Sequence, residues 1–375
     1  MRGRGLILIV VTALIMGGCR IEPPLYLRKA VVTELQLETK VDVQVMWQVN
    51  WEAAWQFGWD TSVYGPLGYR IPGSMRAHVY SHDASGEARS HSTYNFVGEY
   101  TTFDIFVGEH DFLFHNNDSE AVQFRSDGDL ADIHAFTRDI SSGLRSSSPV
   151  YTVAQKARGA ETKADDDELN EPVSLQPDGL FVVFVPDYYI SDNLDDYVYE
   201  RGRYVLKMEH ELTPATYIYL FQVTLLHNEG RVIGSSGGAA LTGMAGGTDL
   251  MDRVAWTSTV SVPMDVYMDK AQDMLGAKVF SFGIPGCNAY DPESVAAAPE
   301  GKHYFVLNVT YVNGTYKNIR MDVTEEVRAL PLGGVIPLEI DVDDFPPEGG
   351  STGGGGFNAL VGDWREETGS TTIIN

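Results

Sequence analysis

Across residues 37–49 apolar and polar side chains alternate. Leu37, Val41, Val43, Val45, Trp47 and Val49 fall on one side with Thr39, while Glu38, Lys40, Asp42, Gln44, Met46 and Gln48 fall on the other. A period of two puts successive side chains on opposite faces, so this stretch reads as a strand with one buried and one wet face. Shorter runs predict strands at residues 74–80, 100–107, 119–124 and 180–186. The last is apolar on both faces, which places it centrally or between two layers.

A second series starts at Arg203, where Tyr204, Leu206 and Met208 alternate with Lys207 and Glu209. Residues 216–226 form a long run of aromatic and β-branched side chains, as a core strand does. Strands are further predicted at 257–264, 303–312, 318–323 and 335–342. Asn313-Gly314 supplies the residues of a tight hairpin turn. Helix is scarce. Residues 129–139 carry apolar side chains at helical spacing, with Leu130, Ile133, Phe136 and Ile140 inward. Thr324, followed by Glu325 and Glu326, predicts a capped short helix that Pro331 stops.

Many strands with few helices predict an all-β protein of antiparallel sandwiches. Residues 155–172 read as an exposed acidic loop, and the Gly-rich stretch 234–247 as a surface hairpin or loop. The predicted organisation is a signal segment at 1–18, an N-terminal sandwich at 19–190, a C-terminal sandwich at 200–345 and a Gly-rich tail at 346–375. The change of domain is expected within 187–202.

The first segment carries Arg2 and Arg4, then an apolar run over residues 6–16, then Gly17-Gly18-Cys19. This is the build of a secretory signal, and the run is shorter than the roughly 20 residues that span a bilayer. Cysteine directly after Gly-Gly resembles a bacterial lipobox, with Met16 where leucine is more usual. Cys19 is then the acylated first residue of the mature chain; the alternative is an ordinary signal peptide.

Composition narrows the partners. The 375 residues carry 52 acidic and 27 basic side chains, a formal charge of -25, which argues against wrapping nucleic acid or docking on anionic lipid. An apolar content of 43% at this length suffices for packed cores without staples. The cysteines are Cys19 and Cys287; with Cys19 lipidated, Cys287 is a lone thiol.

Motifs for catalysis are missing. Gly234-Ser235-Ser236-Gly237-Gly238 lacks the lysine and following helix of a phosphate loop. The nine histidines, among them His78, His82, His110 and His115, read as surface or loop residues without a third convergent ligand. Asp127-Gly128-Asp129 with Asp132 reads as a turn rather than a calcium loop. No catalytic residue, metal site or cofactor is assigned, and a secreted hydrolase is the weakest of the readings. Trp51, Trp55 and Trp59 follow Trp47 at fixed spacing. Trp47 belongs to the apolar face of the first strand. The other three either cover one end of the sandwich or form an aromatic platform that stacks on sugar rings.

The order of segments resembles a known family. It comprises the lipobox cysteine with Arg20-Ile21-Glu22-Pro23-Pro24-Leu25-Tyr26, the alternating strand leading to Trp51, and Pro72-Gly73-Ser74-Met75-Arg76-Ala77-His78-Val79-Tyr80. Gln176-Pro177-Asp178-Gly179-Leu180-Phe181, the strand at 217–226, the stretch 237–243 and Asp322-Val323-Thr324-Glu325-Glu326-Val327 complete it. Together they resemble the DUF5119 family of fimbrillin-related surface lipoproteins of Bacteroidales. The resemblance implies two tandem transthyretin-like β-sandwich domains, an outer-membrane location facing outward, and a part in fimbriae or adhesion. Implied partners are the outer membrane through lipid on Cys19, other fimbrial or surface subunits, and host glycans or proteins. It also implies assembly by strand exchange, with residues 31–49 forming the groove and the tail beyond Gly356, above all Thr371-Thr372-Ile373-Ile374, donating. Glycines, Glu366 and Glu367 in that tail suit an anchor, minor or tip component as well as a shaft subunit. The rival function is a glycan-binding surface lipoprotein using Trp51, Trp55 and Trp59.

Overall fold

The computed structural model describes residues 33–41, 54–82, 88–126, 133–140, 171–200, 203–347 and 371–374. The first strands are β1 (Thr33–Val41), β2 (Ser74–His82), β3 (Ala88–Val97), β4 (Tyr100–Ile105), β5 (Gly108–Asn116), β6 (Val122–Arg125), β7 (His134–Thr137), β8 (Phe181–Ile190), β9 (Val198–Glu200) and β10 (Arg203–Pro214). Then come β11 (Tyr217–Leu226), β12 (Val232–Gly234), β13 (Ala239–Ala245), β14 (Gly247–Asp249), β15 (Thr259–Met264) and β16 (Val266–Asp269). The last are β17 (Met274–Ser281), β18 (Tyr304–Tyr311), β19 (Tyr316–Asp322), β20 (Gly333–Asp341) and β21 (Thr371–Ile374). Short α-helices among the described residues include α1 (Thr61–Tyr64), α2 (Pro292–Ala296) and α3 (Thr324–Ala329). The chain is all-β, built of several sheets stacked in sandwich fashion. Among the described residues no helix is long and apolar enough to cross a membrane.

The N-terminal sheet runs β3-β2-β5-β8-β10-β1-β4, with β9 beside β10. Most of β10 pairs with β1 and β9, and only Thr213 and Pro214 pair with β8. The sheet therefore folds over at β10 and closes around its own core. Met75, Ala77, Phe112, Phe114 and Phe181 come from one side of the fold, and Phe103, Ile105, Met208 and Leu212 from the other. Phe112 and Phe114 are wholly buried, each contributing roughly 1.5–3 kcal/mol over exposure.

The next layer is β16-β17-β11-β20, and β11 explains its position. Tyr217, Tyr219, Phe221 and Val223 enter the C-terminal core, while Ile218 and Leu220 enter the N-terminal one. A strand buried on both faces is apolar on both, as Tyr217–Phe221 show before Gln222 and Thr224 interrupt the run. The outer layer, β15-β13-β18-β19-β21 with β12 beside β18, closes the C-terminal core. Phe221 stacks on Phe305 across that core, with ring centroids 4.1 Å apart.

A small sheet, β14-β7-β6, fastens the two halves: Gly247, Thr248 and Asp249 pair with Phe136, Ala135 and His134. Behind it lies a separate cluster that includes Leu113, Ala135, Leu180, Leu250 and Phe282.

Several expectations change here. The helix expected over 129–139 is replaced at 134–137 by β7, because pairing with both β6 and β14 outweighs a helical spacing over so few residues. Within the stretch 234–247, expected to be a surface hairpin or loop, β13 is a buried strand: Ala239, Ala240 and Leu241 lie flat between β15 and β18. Its small side chains imitate loop composition. Residues from Arg203, expected in the C-terminal sandwich, hydrogen-bond into the N-terminal sheet as β10, and the passage to the next layer falls between Pro214 and Tyr217. Helix α3 forms where expected, but Thr324 is its first residue rather than its cap. Its hydroxyl bonds Asp322 Oδ1 at 2.5 Å and accepts from the His303 amide at 3.0 Å. The Asn313-Gly314 turn joins β18 to β19, with Gly314 at φ 81. Residues 42–49 and 155–170 lie outside the described residues.

Candidate functional site

Among the described residues every strand pair of the N-terminal sheet is antiparallel except one. β1 runs parallel to β10, from Glu34 opposite Val205 to Val41 opposite Leu212. On its other side it is antiparallel to β4, from Thr33 opposite Ile105 to Glu38 opposite Tyr100. The strand at the N-terminal end of the described chain thus fills a slot inside a sheet built from residues far along the sequence. Both neighbours have their backbone groups on those sides satisfied by β1, and without it two facing rows of donors and acceptors stand open. At the opposite end of the chain, β21 lies parallel along β19, with Asn318 opposite Thr371 and Met321 opposite Ile374. The described parts of the predicted groove and donor segments, residues 33–41 and 371–374, therefore both occupy strand positions within their own chain. Cys19, Trp47 and Trp51 lie outside the described residues.

Trp55 packs half-buried against the N-terminal core, and its Nε1 is buried without a hydrogen-bond partner. Trp59 donates Nε1–H to the Gly65 carbonyl at 3.0 Å. The two indoles stand at 72° with centroids 6.1 Å apart, an edge-on contact and not a flat platform. Trp59 is also edge-on to Tyr267 at 5.0 Å. Between Trp59 and Tyr64 the chain makes α1, whose first amides are held by the Asp60 carboxylate.

This corner opens into a cleft of about 520 Å³ between the outward face of β17 and the loops around residues 59–72, 116–120 and 176–179. Trp59, Tyr64, Arg70, Asp178, Tyr267 and Lys278 are among its lining. Lys278 follows the core residue Ala277 on β17 and so points away from the C-terminal core. Its ammonium donates to the Pro66 carbonyl at 2.6 Å and stands 4.7 Å above the Phe280 ring. Burial, together with the positive charge of Arg70, brings it down to about 8. Asp178 is occupied elsewhere, accepting from the Ser119 hydroxyl and from the Glu120 amide at 2.8 Å.

Four histidines expected at the surface are buried: His78, His110, His115 and His303. The sequence does not show this, because a histidine is counted as polar and so looks like the wet position of a strand. His115 donates Nδ1–H to the Asn116 carbonyl at 2.7 Å, so its Nε2 accepts from His78 Nε2 at 3.1 Å. His78 Nδ1 then accepts from His91 Nε2, also at 3.1 Å. The ladder is complete only when His78 and His115 are neutral and hold these tautomers, because each must offer one unprotonated nitrogen as acceptor. Desolvation brings His78 down to about 3 and His115 to about 4.

Among the described residues, the ring nitrogens and carboxylates of His227, Asp341 and Asp343 lie close enough to share a metal ion. Arg231 already pairs with Asp343 at 2.6 Å, and the group reads as an exposed charge network. Cys287 is buried and its thiol raised by that burial, so it has the character of a packing residue.

Residues 61–265 match the family model described as a domain of unknown function, DUF5119. The chain belongs to that family. No curated protein matches it. Among solved structures, this DUF5119 chain is similar to a candidate adhesin from Bacteroides ovatus at 14% identity, covering 84% of this chain and 95% of that one, with a TM-score of 0.47. It is also similar to a candidate polysaccharide-binding protein from Bacteroides thetaiotaomicron, at 8% identity, 82% and 91% coverage and a TM-score of 0.41. The fimbrial anchor protein Mfa2 from Porphyromonas gingivalis matches at 12% identity, 82% and 90% coverage and a TM-score of 0.41.

Proposed function

We propose that this chain is a lipid-anchored outer-membrane subunit of a surface fibre or adhesive assembly, joined to its partners by strand exchange. The observation that carries the reading is β1: one parallel strand, from the N-terminal end of the described chain, inserted between β10 and β4. A strand held in that way can be replaced by one from another subunit, which satisfies the same backbone groups. The four residues of β21 are the matching donor, since they already pair as a strand with the edge of β19.

In this reading Cys19 carries the lipid and places the chain on the outer membrane, facing outward. The described sheets are two transthyretin-like sandwiches that meet between Pro214 and Tyr217. The tail serves an anchor, minor or tip position as well as a shaft. The function asks for neither a catalytic group nor a cofactor.

The test is a chain beginning at residue 42, mixed with a synthetic peptide of residues 33–41 or of residues 368–375. Native mass spectrometry should show stoichiometric uptake of the first peptide, competition by the second, and neither in the chain that keeps β1. Failure to take up either peptide by a chain whose C-terminal layers remain folded would overturn the mechanism. Deleting residues 357–375 should abolish oligomers of the mature chain, and palmitate labelling should vanish in Cys19→Ser.

A further inference from the structure

The slot that β1 fills has one wall group that stays unsatisfied. In the parallel register, positions 35, 37, 39 and 41 of β1 stand opposite Leu206, Met208, His210 and Leu212 of β10. Met208 and Leu212 are core residues and Leu206 packs against that core. Alternate positions share a face, so 35, 37, 39 and 41 are the core-facing places of any strand in the slot. On the other side, β4 sets Phe103 opposite position 35 and Ile105 opposite position 33, both core residues. Positions 35, 37 and 41 therefore meet an apolar wall, whereas position 39 meets an imidazole.

His210 lies against Phe114, with ring centroids 5.8 Å apart and planes at 25°. Its Nε2 is buried and, among the described residues, has no hydrogen-bond partner. Desolvation lowers the ring from its ordinary value, so at neutral pH it is uncharged. The buried histidines elsewhere in this half are bonded: His78 to His115, and His110 to Ser81 and the Phe106 carbonyl. A nitrogen kept dry and unpaired forfeits the bond it made to water, and that loss falls on the slot. An amide side chain at position 39 carries both a donor and an acceptor, so it satisfies Nε2 in either tautomer. We propose that the slot prefers a strand with apolar residues at positions 35, 37 and 41 and asparagine or glutamine at position 39, and that His210 is the group that selects it. Such a strand makes one bond that β1 does not, which favours exchange toward a partner. That the strand comes from a partner rests on the proposed assembly; that His210 selects position 39 does not.

The test uses the full chain with a protease site inserted after Val41, cut once it has folded, and then challenged with peptides of residues 33–41. Native mass spectrometry reads which strand is retained. Peptides with Thr39→Asn or Thr39→Gln should replace the cut strand about threefold to tenfold more effectively than the unaltered peptide, the worth of one hydrogen bond. In the chain carrying His210→Leu that gain should vanish and the Thr39→Val peptide should bind best. His210→Phe, which keeps a ring against Phe114, should give the same result. In the uncut chain the better of Thr39→Asn and Thr39→Gln should raise the melting temperature by about 1–4 °C, and should not when His210→Leu is also present. Equal retention of amide, unaltered and valine peptides, a gain that survives both His210 substitutions, or no rise in melting temperature with either amide would each overturn the proposal. If no peptide replaces the cut strand while the uncut chain shows the expected melting shifts, strand exchange fails and the selection of position 39 by His210 stands.

Discussion

Each half of the molecule adds one long parallel strand to an otherwise antiparallel sheet, but from opposite ends of the chain. In the N-terminal half β1 enters from the start and sits between two neighbours, β10 and β4. In the C-terminal half β20 sits at an edge, beside β11 alone, along a register from Gly333 opposite Ile218 to Asp341 opposite Leu226. Ile336 and Ile340 of β20 are buried in the C-terminal core. Losing an edge strand exposes one row of backbone groups; losing an internal one exposes two and parts the sheet. A slot that opens on both sides is the better receptor for an incoming strand, so under the proposed assembly the N-terminal half is the one to test for exchange.

The halves share β11, and adjacent residues on it report on different cores. Phe221→Ala should cost about 3–5 kcal/mol through the C-terminal core, and Leu220→Ala about 2–5 kcal/mol through the N-terminal one. Hydrogen exchange should then show β18 loosened by the first and β5 by the second. The same pattern for both would mean that the cores behave as one.

The parallel join of β20 depends on Gly333, which has φ 84 and whose Cβ would stand 2.2 Å from the Ile218 carbonyl oxygen. Gly333→Ala should cost about 1–3 kcal/mol or more, because the backbone conformation and the clash both oppose it. Gly314→Ala, at φ 81 in open space, meets only the first penalty and should cost about 1–2 kcal/mol. If the two proved equal by urea titration, the close approach of β20 to β11 would be in doubt.

Acid should separate the halves. Burial lowers His78, His91, His110, His115 and His210 in the N-terminal half, against His303 in the C-terminal one. A histidine lowered from 6.5 binds its proton more readily when unfolded, so its contribution is fully present above pH 6.5. It is lost as pH falls from there toward about 4 for His115 and about 3 for His78. His78 and His115, both buried, each give a slope of up to about 1.4 kcal/mol per pH unit. Near-ultraviolet dichroism between pH 7 and 4 should show the N-terminal half melting first, and His115→Phe should lessen that difference. A pH-independent order of melting would refute the ladder. The smallest effect belongs to the exposed Lys207–Glu200 pair at 3.1 Å, where Lys207→Ala should leave the melting temperature within about 1 °C.

Strand by strand, the sequence was most legible where one face is wet. Alternation found β2, β4, β10 and β19, and the Asn313-Gly314 turn needs only local conformation. Aromatic and β-branched side chains marked β11 as a core strand, though not that its two faces enter two different cores. Legibility failed where neighbours decide. β7 has four residues and exists because β6 and β14 flank it. β13 looks like a loop because Ala239 and Ala240 were selected for room between β15 and β18.

The candidate site divides in the same way. The Gly17-Gly18-Cys19 sequence that resembles a lipobox and the tryptophan spacing are local patterns and are visible in the chain alone. That β1 lies parallel to β10, or that Lys278 reaches the Pro66 carbonyl, was decided by tertiary structure alone. Both join residues more than a hundred positions apart, and a periodic pattern holds information about which face is buried, not about which strand lies alongside.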